Sequence, residues 1–173
     1  PSKIEEAIAN SDKNIKAIMP VDLFGLPARY RIIQDIAKKY DLKIIADAAQ
    51  SFGASKDDKK VGTFGDITTT SFFPAKPLGC YGDGGAIFTD SDEYNKTLRS
   101  LAVHGKGADK YDNIRVGMNS RLDTIQAAIL LEKLSIFSDE INSRNKIADL
   151  YREKLKDLPV TCQTIPQGYK SVY

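Results

Sequence analysis

Histidine and cysteine are nearly missing from this sequence: one of the former and two of the latter in 173 residues. His104 stands alone, Cys80 and Cys162 are far apart, and no Cys-x-x-Cys pair occurs, so a structural zinc site has no ligand set. Two lone cysteines also exclude a disulfide framework and are what a reducing cytoplasm favours. Excess charge is lacking as well. The 25 basic and 23 acidic residues leave a net +2 and are interleaved, which offers no footprint for nucleic acid or an anionic membrane. No apolar run approaches the roughly 20 residues needed to cross a bilayer, and no signal-peptide pattern opens the chain. Internal repeats and low-complexity tracts are absent too. What remains is an ordinary soluble composition, 42% hydrophobic and 28% charged. It suffices for one core and is short for two domains.

The order of elements reads as α/β. Ser2 and Glu5 have capping-box spacing for a short first helix. Residues 15–20 predict a short buried strand, and Pro27 is placed to open a helix with Ile33, Ile36, Ala37 and Tyr40 on one face. Residues 42–47 form the next strand, so strand, helix and strand make a right-handed βαβ unit with parallel strands. A polar hairpin is expected over 53–63, then a β-branched strand over 66–73. A further strand over 84–89 follows too closely for a helical crossover, which makes the two antiparallel neighbours. Asp90 and Ser91 cap a helix running to about Leu101. Residues 104–120 read as a loop, and helical patterns cover 122–134 and then 138–157. The second has Ile141, Ile147, Leu150, Tyr151 and Leu155 on one stripe. The first residues read as the middle of an alternation and the last begin a strand, so a segment of a longer chain is expected.

In such a sheet ligands sit beyond the carboxyl ends of the strands. Asp22, Asp47 and Ser71 fall at three such ends, and Lys76 follows in the stretch P-A-K-P-L-G, where small and cyclic residues offer little to solvate an ammonium. An ion pair is one reading of this convergence. Pyridoxal phosphate is the other: it needs a lysine amine for its aldehyde, an acid against its ring nitrogen and donors for its phosphate. The glycines of G-D-G-G-A-I precede a strand instead of opening a helix, so they are no dinucleotide fingerprint.

The stretch DLKIIADAAQSFGA, followed by VGTFGDITTTSFFPAKPLGCYGDGGAIFT and by NSRLDTIQAA, resembles the sugar aminotransferases of the DegT/DnrJ/EryC1/StrS group, fold-type I pyridoxal-phosphate enzymes. The motifs occur in the family's order and spacing from about Ile15 to Tyr151. The resemblance implies a three-layer α/β/α large domain, its sheet mostly parallel with one antiparallel strand. Residues 1–135 would be its central part, and 136–173 a long linking helix and the start of a small C-terminal domain. Lys76 would form the Schiff base and move the proton, Asp47 would meet the pyridinium nitrogen, and Gln50 would lie against the ring or its phenolic oxygen. Ser71 would donate to the phosphate. Asn119 would reach the cofactor of a neighbouring subunit, since the family shares its sites across a homodimer. Arg121 would suit an anionic substrate group, although it could equally cap the helix it precedes. His104 has a structural or a substrate-side role.

The activity so implied is ping-pong transamination between an amino donor, glutamate, and a nucleotide-linked keto sugar. The sequence is most like the branch acting on UDP-linked 3-keto-N-acetylhexosaminuronate in surface-polysaccharide synthesis. The alternatives are another dTDP- or UDP-linked 4-keto sugar, or a non-catalytic regulatory protein on the same fold. Sugar dehydrases of the family replace the lysine, so Lys76 argues against that activity.

Overall fold

The computed structural model describes residues 1–109 and 111–173. The first helix, α1 (Ser2–Ala9), starts at a Pro1 cap with no side-chain cap bond, so the expected Ser2–Glu5 box does not form. Ser2 is already helical there, and Glu5 instead accepts from Lys39, 2.7 Å away. The strand β1 is short (Ala17–Ile18), and a turn over Leu23–Gly25 follows it with Phe24 at φ 55°. Helix α2 (Tyr30–Lys39) begins three residues after Pro27 and buries Tyr30, Ile33, Ile36 and Ala37. That spacing puts one apolar stripe against the sheet.

Next come β2 (Lys43–Asp47) and the hairpin of β3 (Ser55–Lys56) with β4 (Lys59–Lys60). Asp57 and Asp58 both have positive φ, 47° and 62°, as a two-residue type I′ turn requires. Then β5 (Ile67–Ser71) and β6 (Gly85–Phe88) form, and Ser91 caps α3 (Asp92–Ala102) by accepting from the Tyr94 amide. The last helix, α4 (Thr124–Leu155), is continuous, so the two helical patterns of the sequence are one rod about 48 Å long. No proline or glycine interrupts it. The final strand, β7 (Tyr169–Lys170), pairs with β3.

The main sheet runs β1-β2-β5-β6, parallel except for the antiparallel β5–β6 pair, which is the α/β arrangement expected. Ile18, Ile44 and Ala46 meet α2 on one face, with Ile4 and Ile8 of α1 packed alongside. A second cluster lies past the strand ends, where Ala48, Ala54, Phe72, Leu78, Leu130, Phe137 and Ile141 are buried. At its centre Phe52 stacks on Phe137 and Phe88 and meets Phe72 edge-on, with ring centroids 5.8–6.0 Å apart. Gly53 lies against this cluster at φ +95°, where a Cβ would stand 2.7 Å from Phe137 and Ile141. Among the described residues no helix is long and apolar enough to cross a membrane.

Among the described residues one charged side chain is wholly enclosed. Asp22 is 0% exposed. Its Oδ1 accepts from the Ala28 amide and the Tyr30 hydroxyl, and its Oδ2 accepts from Ser51 Oγ, all at 2.8 Å. Burial nonetheless holds its carboxyl above the ordinary aspartate range, against the pull of those three donors, and the nearby Asp47 charge pushes the same way.

Two stability predictions follow from these contacts, both for the full-length protein. Phe137→Ala should cost about 3–5 kcal/mol by emptying the aromatic cluster, read as a lowered urea midpoint. A raised folded-state pKa means that Asp22 contributes most below its unfolded value, and that this contribution is lost as pH rises through the folded value. Asp22→Asn cannot titrate, so it should flatten the stability profile from about pH 4 upward. Parallel profiles for the two proteins would assign that titration to another group.

Candidate active site

Where β5 ends, the chain leaves the sheet and closes a loop on itself. The Phe72 amide donates to Gly84 O (2.7 Å), and the Cys80 amide donates to Phe72 O (2.8 Å). Inside the loop the Lys76 amide donates to Phe73 O at 2.8 Å. A Cβ on Gly79 would stand 2.6 Å from Pro74 O, so this crossing of the chain admits only glycine. Pro77 and Leu78 are buried and hold the loop down, while Lys76 itself is half-buried. Its Nζ has no hydrogen bond or ion pair among the described residues, and no bridge joins it to Asp47.

Asp47 closes β2 in register with Thr69 of β5. Ser71, two residues further along β5, therefore points to the same face as Asp47, away from Ile44 and Ala46. Asp47 Oδ1 accepts from the Ala49 amide (3.0 Å), and its Oδ2 is without a partner among the described residues. Ser71 Oγ accepts from the Phe73 amide (3.2 Å), and its hydroxyl proton has no acceptor there. Gln50 reaches across to the turn after β1, where its Oε1 accepts from the Phe24 amide at 2.8 Å. That bond holds Phe24 in its left-handed conformation.

Lys76 and Gln50 open into one cavity of about 840 Å³. Its other walls are Phe24 and Gly25, the α4 residues Arg144, Ile147, Ala148, Tyr151, Arg152 and Leu155, and Tyr173. Asp47 and Ser71 stand at the adjoining strand ends but do not line it. Asp22 is not in the cleft at all: its carboxylate turns inward to α2 and Ser51, so it drops out of the four polar residues expected there. The α4 wall was legible only as a stripe. Of the expected stripe only Ile147, Tyr151 and Leu155 line the cavity, and Arg144, Ala148 and Arg152 beside them carried no signal without the fold. Arg144 donates to Tyr173 O (3.1 Å), and Arg152 bonds the Tyr173 hydroxyl, with its guanidinium 5.5 Å from that ring.

Asn119, Arg121 and His104 lie elsewhere, on an exposed segment. Arg121 Nε donates to Asn119 Oδ1 (2.8 Å), and Asn119 bridges to Val103. His104 has φ 59°, and its amide donates to Met118 O. Arg121 borders a groove between α3 and the β5–β6 edge, about 530 Å³ in volume, with Thr69, Ile87 and Arg99. Within one chain none of these three residues reaches the Lys76 cavity.

The model of the DegT/DnrJ/EryC1/StrS aminotransferase family matches residues 1–173. The chain is 50% identical over 173 residues to the UDP-2-acetamido-2-deoxy-3-oxo-D-glucuronate aminotransferase of Pseudomonas aeruginosa, covering all of this chain and 47% of that protein. Among solved structures, a DegT DnrJ EryC1 StrS aminotransferase from Brucella abortus superposes with a TM-score of 0.92 at 54% identity, over 98% of this chain and 45% of that one. NtdA from Bacillus subtilis, solved with bound cofactor PMP, superposes with a TM-score of 0.83 at 39% identity, over 91% of this chain and 35% of that one. The chain thus spans about half the length of the curated relatives it matches.

The Gln50 bond is open to direct measurement. Gln50→Ala removes the acceptor of the Phe24 amide, and the loss of one bond worth about 1 kcal/mol should speed hydrogen exchange at that amide about fivefold. Unchanged exchange would mean that the turn holds itself.

Proposed function

The chain belongs to the DegT/DnrJ/EryC1/StrS aminotransferase family, and from that membership we propose that the whole protein transfers an amino group to a nucleotide-linked keto sugar. The acceptor is a UDP-linked 3-keto-N-acetylhexosaminuronate, the donor is glutamate, and the product serves surface-polysaccharide synthesis. The reaction exchanges an amine for a keto group, so it needs no outside oxidant or reductant. One observation carries the reading: among the described residues Asp47 and Ser71, at the ends of β2 and β5, and Lys76, in the loop after β5, present a free carboxylate oxygen, a free hydroxyl proton and a free amine.

That donor set suits pyridoxal phosphate, which carries an aldehyde, a ring nitrogen and a phosphate. When bound, the group supplies a carbonyl that takes up an amine and a ring that accepts electrons. Lys76 Nζ would hold the group through its aldehyde and would carry the proton between donor and acceptor positions. Its freedom from any ion pair leaves it available for both tasks. The Asp47 carboxylate keeps the ring nitrogen protonated, while the Ala49 amide fixes its orientation. Ser71 donates its hydroxyl to phosphate, held in place by the Phe73 amide. Gln50 braces the turn beside the ring. The buried Pro77 and Leu78 keep the loop from swinging, which fixes the amine's approach.

The exposure of Asn119, Arg121 and His104 supports a homodimer in which this segment reaches a second subunit's site. There Asn119 would meet phosphate, and Arg121 would meet the carboxylate or diphosphate of the substrate, with His104 on the substrate side. Residues 1–135 then form the central part of the large domain, and the chain from 136 leads into the small one, both in the cytoplasm.

Borohydride reduction of the full-length protein loaded with pyridoxal phosphate should bleach its visible absorbance and leave a mass adduct on the Lys76 peptide. Lys76→Ala should abolish both. Against a panel of UDP- and dTDP-linked keto sugars, turnover should be greatest with the UDP-linked 3-keto uronate. Activity confined to neutral dTDP sugars would overturn the substrate assignment, and absence of any cofactor adduct would leave a binding protein on an enzyme's fold.

A further inference from the structure

Two side chains of α4 reach the far limb of the Lys76 loop, and the transamination chemistry above uses neither. Gln126 and Lys133 are seven residues apart, two turns along one face of the helix. Gln126 Oε1 accepts from the Tyr81 amide at 2.8 Å. Lys133 Nζ donates to Gly79 O at 2.5 Å and lies 5.8 Å from the centre of the Tyr81 ring. Both side chains are half-buried. Gly82 leaves room for this approach, since a Cβ there would stand 3.1 Å from Gln126 Nε2.

Leu78 and Cys80 pack against Leu130 and Phe137 of α4, but among the described residues the loop's other polar ties stay within its own strands and limbs. These ties run from Cys80 N and Sγ to Phe72 O, from Cys80 Sγ to Gly82 O, from Phe72 N to Gly84 O, from Lys76 N to Phe73 O and from Phe73 N to Ser71 Oγ. The clamp from α4 is therefore the polar link between this limb and a separate element. The same helix continues without a break to Arg144, Ile147, Ala148 and Tyr151, which form the cavity wall facing Lys76. One rod thus grips the loop at one end and builds the opposite wall at the other.

We infer that Gln126 and Lys133 are positioning residues for Lys76, setting the depth at which its amine enters the cavity. The inference rests on the reading of Lys76 as the cofactor-linked lysine. Neither side chain touches the reacting atoms; both act through the Gly79–Tyr81 backbone. Misplacing a reacting group by about an ångström costs up to about a hundredfold in rate, so a partly released loop should show itself in turnover more than in substrate affinity.

The test uses the full-length protein with pyridoxal phosphate and two pairs of variants. Gln126→Ala removes the acceptor, whereas Gln126→Glu keeps an oxygen in place. Lys133→Met keeps the stem without the donor, whereas Lys133→Arg keeps a donor. Gln126→Ala should speed exchange of the Tyr81 amide about fivefold. Gln126→Ala and Lys133→Met should each lower kcat about tenfold with KM for the sugar within about twofold, and should move the pH midpoint of the cofactor's visible absorbance. The conservative variants should recover most of both losses. Ile36→Ala, destabilised in the separate cluster under α2, should keep the wild-type pH midpoint. If the loaded wild type forms normally and the variants match it in kcat and pH midpoint, or if the conservative variants fail equally, the positioning role is overturned. A wild type that takes up no cofactor overturns the reading of Lys76, and the positioning role with it.

Discussion

The buried carboxylate of Asp22 is the constraint on which the arrangement of this site depends. Its three acceptor bonds join the end of β1 to the approach and first turn of α2, through Ala28 and Tyr30, and to the turn after β2, through Ser51. Its backbone completes the junction: the Asp22 amide donates to Asp47 O, and the Asp47 amide donates to Pro20 O, each at 2.9 Å. A charge this deep persists only when every lone pair it turns inward is met by a donor. The donors come from three segments, so satisfying Asp22 fixes those segments relative to one another. Asp47 and Gln50 take their positions from that junction. Tyr30 is drawn in the same way: burial and the Asp22 charge both push its hydroxyl to resist ionisation, and its ring stacks on Phe64 at 4.8 Å.

From this junction the site extends along two adjacent parallel strands. The register of β2 and β5 sets Asp47 beside Thr69 and leaves Ser71 one pleat further out, on the same face. The loop carrying Lys76 then folds back under Phe72 and is gripped from behind by α4. Chemistry and support are thus divided. The groups with free ends sit at strand ends and on the loop, while buried residues and one long helix hold them there. Such separation suits a site whose working groups must stay unpaired until a ligand arrives.

Much of this was legible in the chain itself. The strand–helix–strand alternation, the antiparallel return after β5 and the polar hairpin follow from periodicity, connection length and turn chemistry. Other features were not. The capping box at Ser2 failed because Pro1 already occupies the cap and Glu5 finds Lys39, a partner 34 residues away. The two helical patterns after residue 122 merged because nothing between them breaks a helix; the change in apolar face reflects what α4 packs against along its length. Ile147 and Tyr151 stay more than half exposed, so their stripe is a cavity wall, which no periodicity distinguishes from a core.

The sequence by itself determined the family and the α/β class, and it named the residues proposed as working groups: Lys76, Asp47, Gln50 and Ser71. These are carried by short motifs whose spacing along the chain is itself the signal. Only the tertiary structure decided that Asp22 is an internal brace, that Lys76 faces α4, and that Asn119, Arg121 and His104 stand apart on an exposed segment. The physical reason is the same in each case. Whether a polar side chain serves a ligand or the fold depends on which donors and acceptors already satisfy it, and those partners lie tens of residues away in sequence.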